Sequence, residues 1–322
     1  MYDLIIVGSG PIGLNCAIEA QKAGLNYLVL EKGVLVNSLF HFPTNMTFFS
    51  TSNLLEIGGV PFIAHSEKPT RRESLEYFRR VTESWKVNIH YYEAVKRIGL
   101  DTKEIFQIET SKGEYKARKI IIATGFYDDF RPLNVPGEDL PKVKHYYDEP
   151  HPYVGQKLAV IGAANSACDV ALETFYKGAE VTMIVREAYI YEKVKYWIRP
   201  NIENRIKEGS IKAYFNTTVK EIREREIVVQ TPEGEKVLEN DFVLAMTGYL
   251  PNYDFFEKIG LEVSDDDYKI PVHDSETFES NVPGMYIAGV ISAGMQTSKL
   301  FIENTREHAG VVIKDILKKI KV

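Results

Sequence analysis

Close to its start the chain reads Gly8-Ser9-Gly10-Pro11-Ile12-Gly13. The apolar run at 4–7 predicts a strand buried on both faces, and the apolar pattern at 11–23, which ends before Gly24, predicts a helix. In such a strand–turn–helix unit the first glycine makes the tight turn, the second lets the backbone approach a pyrophosphate, and the third lets helix and strand pack closely. The helix N-terminus stabilises the phosphate charge, so the stretch predicts a dinucleotide site.

An acidic residue stands where a dinucleotide site needs one. A second buried strand is predicted at 27–30, and Glu31 ends it, 18 residues after Gly13. A carboxylate there accepts hydrogen bonds from the ribose hydroxyl groups. Because the two strands flank a helix, they are expected to lie parallel in one sheet.

The same pattern returns 154 residues after Gly8, as Gly162-Ala163-Ala164-Asn165-Ser166-Ala167. A strand at 158–161, a helix at 165–177 and a strand at 181–185 are predicted around it, so the nucleotide-binding unit is duplicated. No acid follows the second strand; Val185 and Arg186 stand there instead. An arginine at this place favours NADP over NAD because it pairs with the 2′-phosphate, and Lys193 and Lys195 are candidates to extend that pocket.

Two short segments predict how the chain crosses between the duplicated units. Ala123-Thr124-Gly125 follows an apolar strand at 120–122, and Met246-Thr247-Gly248 follows another at 243–245. We therefore expect an α/β protein with two Rossmann-like, three-layer dinucleotide-binding domains. The first domain is discontinuous, 1–126 with 247–322, and the second, 127–246, is inserted into it.

The remaining pattern predicts further elements. Thr70 and Glu73 form a capping-box signature for a helix that reaches about Trp85. The loop at 33–68 is long enough to suggest that it covers a ligand. Other predicted elements are several short strands within 88–122, antiparallel strands at 211–215, 219–223 and 227–230, a strand at 285–288, and a final helix at 297–319.

Composition excludes several classes of function. The chain has 322 residues, 44% hydrophobic and 26% charged, which is typical of a globular protein, and its net charge of −6 disfavours broad nucleic-acid binding. Cys16 and Cys168 are its two cysteines; they form no CxxC, and no cluster has metal-ligand spacing. Neither a signal peptide nor a membrane span is predicted, and two free thiols fit a cytoplasmic location.

The order of these motifs resembles the flavoproteins with two dinucleotide-binding domains, most closely the low-molecular-weight thioredoxin reductase type. Several further stretches are similar to the bacillithiol disulfide reductase family: FPTNMTFFS at 42–50, DLPKV at 139–143, HPY at 151–153, KYWIRPN at 195–201 and FIEN at 301–304. The resemblance covers essentially the whole chain. It implies an NADPH-dependent, FAD-containing homodimer or homotetramer that reduces a small-molecule disulfide or a small redox protein.

The motifs and the resemblance together give two sets of binding residues. Those expected to bind FAD are Gly8, Gly10, Pro11, Ile12, Gly13, Glu31, Lys32, Phe42, Thr44, Asn45, Thr124, Gly125, Gly289 and Val290. Those expected to bind NADPH are Gly162, Ala163, Asn165, Ser166, Arg186, Lys193 and Gly248.

The chain departs from the family pattern at three places. Thioredoxin reductases carry a CxxC between the ATG segment and the second glycine motif, and no cysteine lies there. Bacillithiol disulfide reductases carry a cysteine within the first glycine motif, where this chain has Ile12. Cys16 lies one helical turn further on the same face and is the candidate redox thiol, its alternative being a buried structural cysteine. Val290 replaces the acid that follows the last glycine in related reductases.

Three other functions fit parts of the pattern. A ferredoxin- or flavodoxin-NADP reductase of the thioredoxin-reductase-like type also lacks the CxxC and needs no enzyme cysteine. A flavin monooxygenase pairs two glycine motifs and has a histidine-containing linker, which Pro136-Gly137 and His145 resemble faintly. The third alternative is a flavin-binding redox sensor that does not turn over, although such a sensor has little need of a dedicated NADPH site.

Overall fold

The computed structural model describes residues 1–320. Contacts within the chain divide it into two compact units, one formed by Met1–Asp129 with the chain from Tyr249 onward and one formed by Phe130–Gly248. The crossings thus fall two to three residues beyond the positions expected from the sequence.

The first unit begins with a strand, a helix and a strand, as the glycine motif predicts. Up to the first crossing its elements are β1 (Tyr2–Val7), α1 (Pro11–Lys22), β2 (Tyr27–Leu30), α2 (Asn37–Phe40), α3 (Arg71–Trp85), β3 (Ile89–His90), β4 (Val95–Leu100), β5 (Phe106–Thr110) and β6 (Glu114–Ile122). The short strand β7 (Asp129–Phe130) lies at the crossing itself. The predicted capping box is confirmed: the Thr70 side chain accepts from the Glu73 N–H, and the Glu73 carboxylate accepts from the Thr70 N–H.

The second unit repeats the arrangement. Its elements are β8 (Val143–Lys144), β9 (Lys157–Ile161), α4 (Asn165–Tyr176), β10 (Glu180–Ile184), α5 (Arg199–Lys207), β11 (Lys212–Tyr214), β12 (Thr218–Ile222), β13 (Glu226–Thr231), β14 (Gly234–Glu239) and β15 (Phe242–Ala245). The chain then completes the first unit with β16 (Tyr249–Leu250), α6 (Tyr253–Lys258), β17 (Met285–Ile287), α7 (Ile302–Thr305) and α8 (His308–Ile320).

Both units contain a five-stranded parallel sheet with equivalent strand order. In the first unit the order is β3-β2-β1-β6-β17, and in the second it is β11-β10-β9-β15-β8. The first sheet is extended because residues 114–117 of β6 also pair with β5, antiparallel, and β5 with β4. The duplication predicted from the two glycine motifs is therefore present in the strand order as well.

Burial on both faces explains the unbroken apolar runs of the central strands. Leu4 and Ile6 pack in one buried cluster with Val312 of α8, whereas Ile5 and Val7 pack in another with Phe106. Successive side chains of a strand point to opposite faces, so both faces of β1 need apolar residues.

The structure corrects one predicted strand direction. The strand expected at 211–215 is β11, which pairs parallel with β10 rather than antiparallel with its successors. The cause is α5, a helix that the sequence analysis missed and that crosses over between β10 and β11, as parallel neighbours require. The antiparallel pairing of β12 with β13 is confirmed, and β14 joins them as a third strand.

The final helix expected at 297–319 is two helices, α7 and α8, and residues 297–300 are not helical. Arg306 lies between the two helices, and its carbonyl oxygen accepts from the Asn15 side-chain amide at 2.7 Å. The Arg306 side chain donates to the carbonyl oxygens of Asn53 and Glu56. These contacts fix residue 306 in place and separate the two helices.

Within residues 1–320, no helix combines the length and apolar character needed to cross a membrane. The same residues contain no group of three or more His, Cys, Asp or Glu side chains arranged to hold a metal ion.

Candidate functional site

The first glycine turn is closed so tightly that two of its positions exclude a side chain. Gly8 has a φ of 105°, and a Cβ atom there would stand 2.6 Å from the Ala123 carbonyl oxygen. A Cβ atom at Gly13 would stand 1.9 Å from the Gly8 carbonyl oxygen. By contrast, a Cβ atom at Gly10 would meet nothing within 4 Å. The open side of the turn therefore lies at Gly10, where a ligand can approach the backbone.

The Glu31 carboxylate is held against this turn. It is 5% exposed; Oε2 accepts from the Ser9 N–H at 2.8 Å and from the Ser9 hydroxyl at 3.0 Å. Oε1 accepts from the Gly33 N–H at 2.8 Å. These bonds to two backbone amides fix the carboxylate at the end of β2, where it retains lone pairs for further donors.

A cavity of about 1140 Å³, including its open mouth, runs along the turn. It brings together most of the residues expected to bind FAD: Gly8, Gly10, Pro11, Ile12, Glu31, Lys32, Phe42, Thr124, Gly125, Gly289 and Val290. It does not include Gly13, Thr44 or Asn45 among its lining residues. Gly13 packs beneath the turn instead, as its close approach to Gly8 requires.

Part of the cavity wall was not predicted from the sequence. The loop at 33–68 does line the cavity, but through residues other than Thr44 and Asn45: Val36, Asn37, Ser38, Leu39, Phe48, Phe49, Ser50 and Leu55. Additional lining residues are Ala123, Phe126, Tyr127, Asp128, Ala288, Leu300, Phe301 and Ile302. The length of the loop was the sequence signal that pointed to this part of the wall. The apolar residues themselves gave no signal, because residues that face a cavity have the same periodicity in the sequence as core residues.

Two features indicate that the cavity suits a nucleotide-bearing group. The Thr124 hydroxyl oxygen is buried and has no hydrogen-bond partner among residues 1–320, which costs free energy unless a ligand supplies one. Lys32 pairs with Asp128 at 2.8 Å beside the enclosed Glu31 carboxylate, so charged groups lie next to apolar wall residues. An elongated ligand with polar phosphates and hydroxyls and a flat apolar ring matches this lining, and FAD is such a ligand.

Cys16, the candidate redox thiol, is not brought to the cavity. Its side chain is 0% exposed and packs in the buried cluster that includes Ala17 and Ala309. Burial, with a smaller effect of Glu19, raises the pKa of this thiol to about 12. Ile12, one turn earlier on α1, is the residue that lines the cavity.

The second unit closes its glycine turn in the same way. The Gly162 N–H donates to the Ile184 carbonyl oxygen as Gly8 does to Leu30, and Met246 donates to Ile161 as Ala123 does to Val7. A Cβ atom at Gly162 would stand 2.6 Å from the Met246 carbonyl oxygen, matching the closure at Gly8. By this register, Val185 is equivalent to Glu31, and Arg186 to Lys32.

The predicted NADPH residues lie around this second turn, except that Gly248 lies beyond β15. Ala163 is buried, Ser166 and Lys193 are exposed, and Arg186 is 80% exposed and pairs with Glu187 at 2.9 Å. Asn165 Oδ1 accepts from the Lys195 N–H at 2.9 Å. The Lys195 ammonium, in turn, pairs with Asp169 of α4 at 2.7 Å. The segment after β10 is thereby fastened to the first turn of α4.

Comparison with known proteins agrees with this arrangement. The profile of the pyridine nucleotide-disulphide oxidoreductase family matches residues 5–289. The chain belongs to this family. The oxidoreductase is 44% identical over 316 residues to the bacilliredoxin reductase of Bacillus subtilis, covering 98% of this chain and 97% of that protein.

Two solved structures are similar over nearly the whole oxidoreductase. The bacillithiol disulfide reductase of Bacillus cereus has a TM-score of 0.96 at 40% identity and covers 99% of both chains. That of Staphylococcus aureus has a TM-score of 0.95 at 39% identity and covers 98% of both chains. The resemblance to bacillithiol disulfide reductases and the thioredoxin-reductase-like fold are both confirmed.

The enzyme class and cofactors are confirmed at the level of the family. The oxidoreductase is an FAD-dependent enzyme of the pyridine nucleotide-disulfide type, and its thioredoxin-reductase-like relatives are FAD- and NADPH-dependent flavoproteins.

Proposed function

We propose that the oxidoreductase uses NADPH to reduce bacillithiol disulfide, or a similar low-molecular-weight disulfide, including one carried by a small redox protein. The observation that carries this proposal is the similarity, over nearly the full length, to proteins named bacilliredoxin reductase and bacillithiol disulfide reductase. The cavity along the first glycine turn, whose lining suits FAD, and the second copy of that turn support the proposal.

The cavity of the first unit is the proposed FAD site. Gly10 offers the open backbone for the pyrophosphate, and Glu31 is positioned to accept from the ribose hydroxyls. The unpartnered Thr124 hydroxyl supplies a further polar contact. Of the predicted FAD residues, Gly13, Thr44 and Asn45 are assigned no direct contact, because they do not line the cavity.

The glycine turn of the second unit is the proposed NADPH site. Val185 takes the position that Glu31 holds in the first unit, so no carboxylate is fixed there to repel a 2′-phosphate. Arg186 is exposed at the end of β10, where its ion pair with Glu187 is open to solvent, and Lys193 is exposed as well, so both cations are accessible to that phosphate. This charge pattern supports NADPH rather than NADH.

When bound, FAD accepts a hydride from the nicotinamide and supplies two electrons to the acceptor. The protein binds and orients the two cofactors. The apolar wall residues of the cavity would surround much of FAD and so limit its contact with water. We assign FAD to the first unit and NADPH to the second, which is Phe130–Gly248. We also propose a cytoplasmic homodimer or homotetramer.

An anaerobic experiment tests this function. Purified holoenzyme is reduced with NADPH, bacillithiol disulfide is added, and the visible absorption of the flavin is followed. We expect NADPH to bleach the absorption and the disulfide to restore it within the time of steady-state turnover. A flavin that NADPH does not bleach contradicts the enzyme as proposed. NADH at the same concentration is the matched control and is expected to bleach more slowly.

One observation favours a second candidate function, a ferredoxin- or flavodoxin-NADP reductase. Both cysteines are fully enclosed, and such a reductase needs no enzyme thiol. If ferredoxin or flavodoxin reoxidises the bleached flavin and the disulfide does not, this second function is the correct one.

A further inference from the structure

The segment between β10 and α5 runs beside the second glycine turn and is bonded to it and to the helix that follows. The Tyr191 N–H donates to the Ala163 carbonyl oxygen at 3.1 Å. The Lys195 N–H donates to Asn165 Oδ1 at 2.9 Å, and the Lys195 ammonium pairs with Asp169 at 2.7 Å. Ala163 and Asn165 belong to the glycine motif itself. The backbone of this segment is therefore held in a fixed place beside the turn.

The side chains of the segment divide between the core and solvent. Ile190 and Val194 are buried in the apolar cluster of the second unit. Tyr191, between them, is 37% exposed, and within residues 1–320 its hydroxyl makes no hydrogen bond and its ring contacts no other aromatic ring. The backbone thus holds beside the turn a tyrosine whose ring has an open surface that a flat ligand can cover.

The second turn offers the ribose less than the first. Glu31 is positioned to accept from ribose hydroxyls at the first turn, whereas the equivalent Val185 is fully buried and has no polar side-chain atom. Arg186 and Lys193 supply charge, but both are exposed, and an ion pair in water contributes little. A nucleotide at the second turn therefore needs a contact of another kind.

The position of Tyr191 suits the base of the nucleotide. The 2′-phosphate assigned to Arg186 is attached to the ribose that also carries the adenine. Arg186 and Lys193 lie on the same segment as Tyr191, one before it and one after it. We infer that the Tyr191 ring stacks on the adenine of the nicotinamide nucleotide. The inference rests on the proposed function and adds to it a residue that contacts the base.

Stacking on adenine has a different signature from pairing with the 2′-phosphate. Adenine is common to NADPH and NADH, so the Tyr191 ring strengthens the binding of both nucleotides by the same factor. Arg186 acts on a phosphate that only NADPH carries. Tyr191 therefore contributes affinity, and Arg186 contributes the preference for NADPH.

Calorimetric titration of the oxidised holoenzyme tests the inference without turnover. The probes are 2′-phospho-ADP-ribose and ADP-ribose, which contain the adenine but no nicotinamide. In Tyr191→Ala we expect the Kd of both probes to rise about tenfold. In Tyr191→Phe, which keeps the aromatic face, we expect both values to stay within about twofold of the wild type. Unchanged Kd values in Tyr191→Ala, or an equal loss in Tyr191→Phe, overturn the inference.

Two matched variants separate stacking from other effects. Tyr189→Ala removes a tyrosine of the same segment that is 56% exposed and, within residues 1–320, has no bond to the glycine motif. We expect it to leave both Kd values within about twofold of the wild type. Arg186→Ala is expected to raise the Kd of 2′-phospho-ADP-ribose about tenfold and that of ADP-ribose little. If Tyr191→Ala shows this second pattern, the ring acts on the phosphate and the inference is overturned.

Two further readouts keep the test decisive. The Tyr191 N–H bond to Ala163 survives the substitution, so we expect the Tm of Tyr191→Ala to stay within about 2 °C of the wild type. Should that variant unfold, Tyr191→Leu keeps apolar packing without the aromatic ring, and we expect it to raise both Kd values at least about threefold; unchanged values there overturn the inference.

Failure of the proposed function is recognised separately. If the wild type binds both probes but reduces no disulfide, the proposed acceptor is wrong, and the comparison of Tyr191 variants still decides the inference. If the wild type binds neither probe, the proposed NADPH site is wrong, and the inference is overturned with it.

Discussion

Gly289 donates its backbone N–H to Nδ1 of His308 across 3.3 Å, and both residues are buried. Gly289 lines the cavity of the first unit, whereas His308 begins α8 and stacks on Phe278 with ring centroids 4.0 Å apart. Burial, together with the nearby His273, lowers the pKa of His308 to about 4. The ring is therefore neutral at pH 7, and its unprotonated Nδ1 fixes the orientation of one residue of the cavity wall.

Removal of this acceptor is expected to weaken FAD binding. His308→Leu leaves the Gly289 N–H buried without a hydrogen-bond partner, which costs about 1–3 kcal/mol. The backbone at Gly289 can avoid this cost by turning away from its place in the cavity wall. We expect the Kd for FAD, measured by fluorescence titration of the apoprotein, to rise about tenfold.

A conservative variant separates positioning from mere packing. In His308→Asn the amide oxygen takes roughly the place of Nδ1, and we expect most of the FAD affinity and the flavin spectrum to be restored. His273→Asn is the matched control, because His273 also stacks on Phe278 but is not the acceptor of the Gly289 N–H. Equal FAD affinity in His308→Leu and the wild type would contradict the role of the histidine.

The lowered pKa of His308 also predicts that the free energy of unfolding depends on pH. Its pKa is about 4 in the folded protein and returns to its ordinary value of 6.5 in the unfolded chain. Between these values the unfolded chain binds more protons, so stability is lost as the pH falls from about 6.5 towards about 4. Above pH 6.5 this contribution is constant.

We expect the Tm of wild-type apoprotein to fall between pH 7 and pH 5 by about 4 °C more than the Tm of His308→Asn, as measured by differential scanning fluorimetry. Parallel losses in the two proteins would show that other groups cause the acid sensitivity.

Two neighbouring glycines are expected to respond differently to the same substitution. Gly8→Ala forces a Cβ atom to within 2.6 Å of the Ala123 carbonyl oxygen at a φ of 105°, so we expect the apoprotein Tm to fall by more than about 5 °C. Gly10→Ala meets no protein atom within 4 Å but places a methyl group in the cavity. We expect an apoprotein Tm within about 1 °C of the wild type and a clear loss of FAD affinity. If Gly10→Ala binds FAD normally, the pyrophosphate does not lie against Gly10.

Charge at the end of β10 is expected to set the preference between the nicotinamide nucleotides. Arg186→Ala removes the cation assigned to the 2′-phosphate, so we expect the KM for NADPH to rise about tenfold and the KM for NADH to change little. Glu187→Gln is the opposing variant, because Glu187 pairs with Arg186 at 2.9 Å. We expect it to lower the KM for NADPH by about twofold, as an exposed pair contributes little. Equal effects on both nucleotides would place the 2′-phosphate elsewhere.

Local signals in the sequence were sufficient for the parts of the fold that local chemistry decides. The Thr70–Glu73 capping box is made by groups three residues apart, and the structure contains it. The central strands were recognised because burial on both faces leaves an unbroken apolar run, as at Ile120–Ile122 of β6. The second glycine motif likewise predicted a duplicated nucleotide-binding unit, and the strand order of the two sheets contains that duplication.

Contacts between distant parts of the chain decided the rest. The break between α7 and α8 involves a hydrogen bond from the Asn15 amide to Arg306, which is 291 residues away in the sequence. The sequence around residue 306 therefore has no pattern that predicts the break. The direction of β11 depends on α5, whose only clear signal is Pro200 in its first turn. Phe48 and Phe49 line the cavity while Thr44 and Asn45 do not, because the path of a long loop depends on the surface it covers.

One difference between the duplicated turns bears on how long each nucleotide stays. At the first turn an acid is enclosed and held by backbone amides, whereas at the equivalent end of β10 an arginine is 80% exposed. A ligand that hydrogen-bonds to an enclosed, preorganised group loses those bonds before it can leave, so dissociation is slow. A ligand held by an exposed charge exchanges with solvent quickly. In the proposed assignment, one backbone turn that is used twice therefore holds a redox cofactor that stays bound in one unit and a nucleotide that is exchanged in every catalytic cycle in the other.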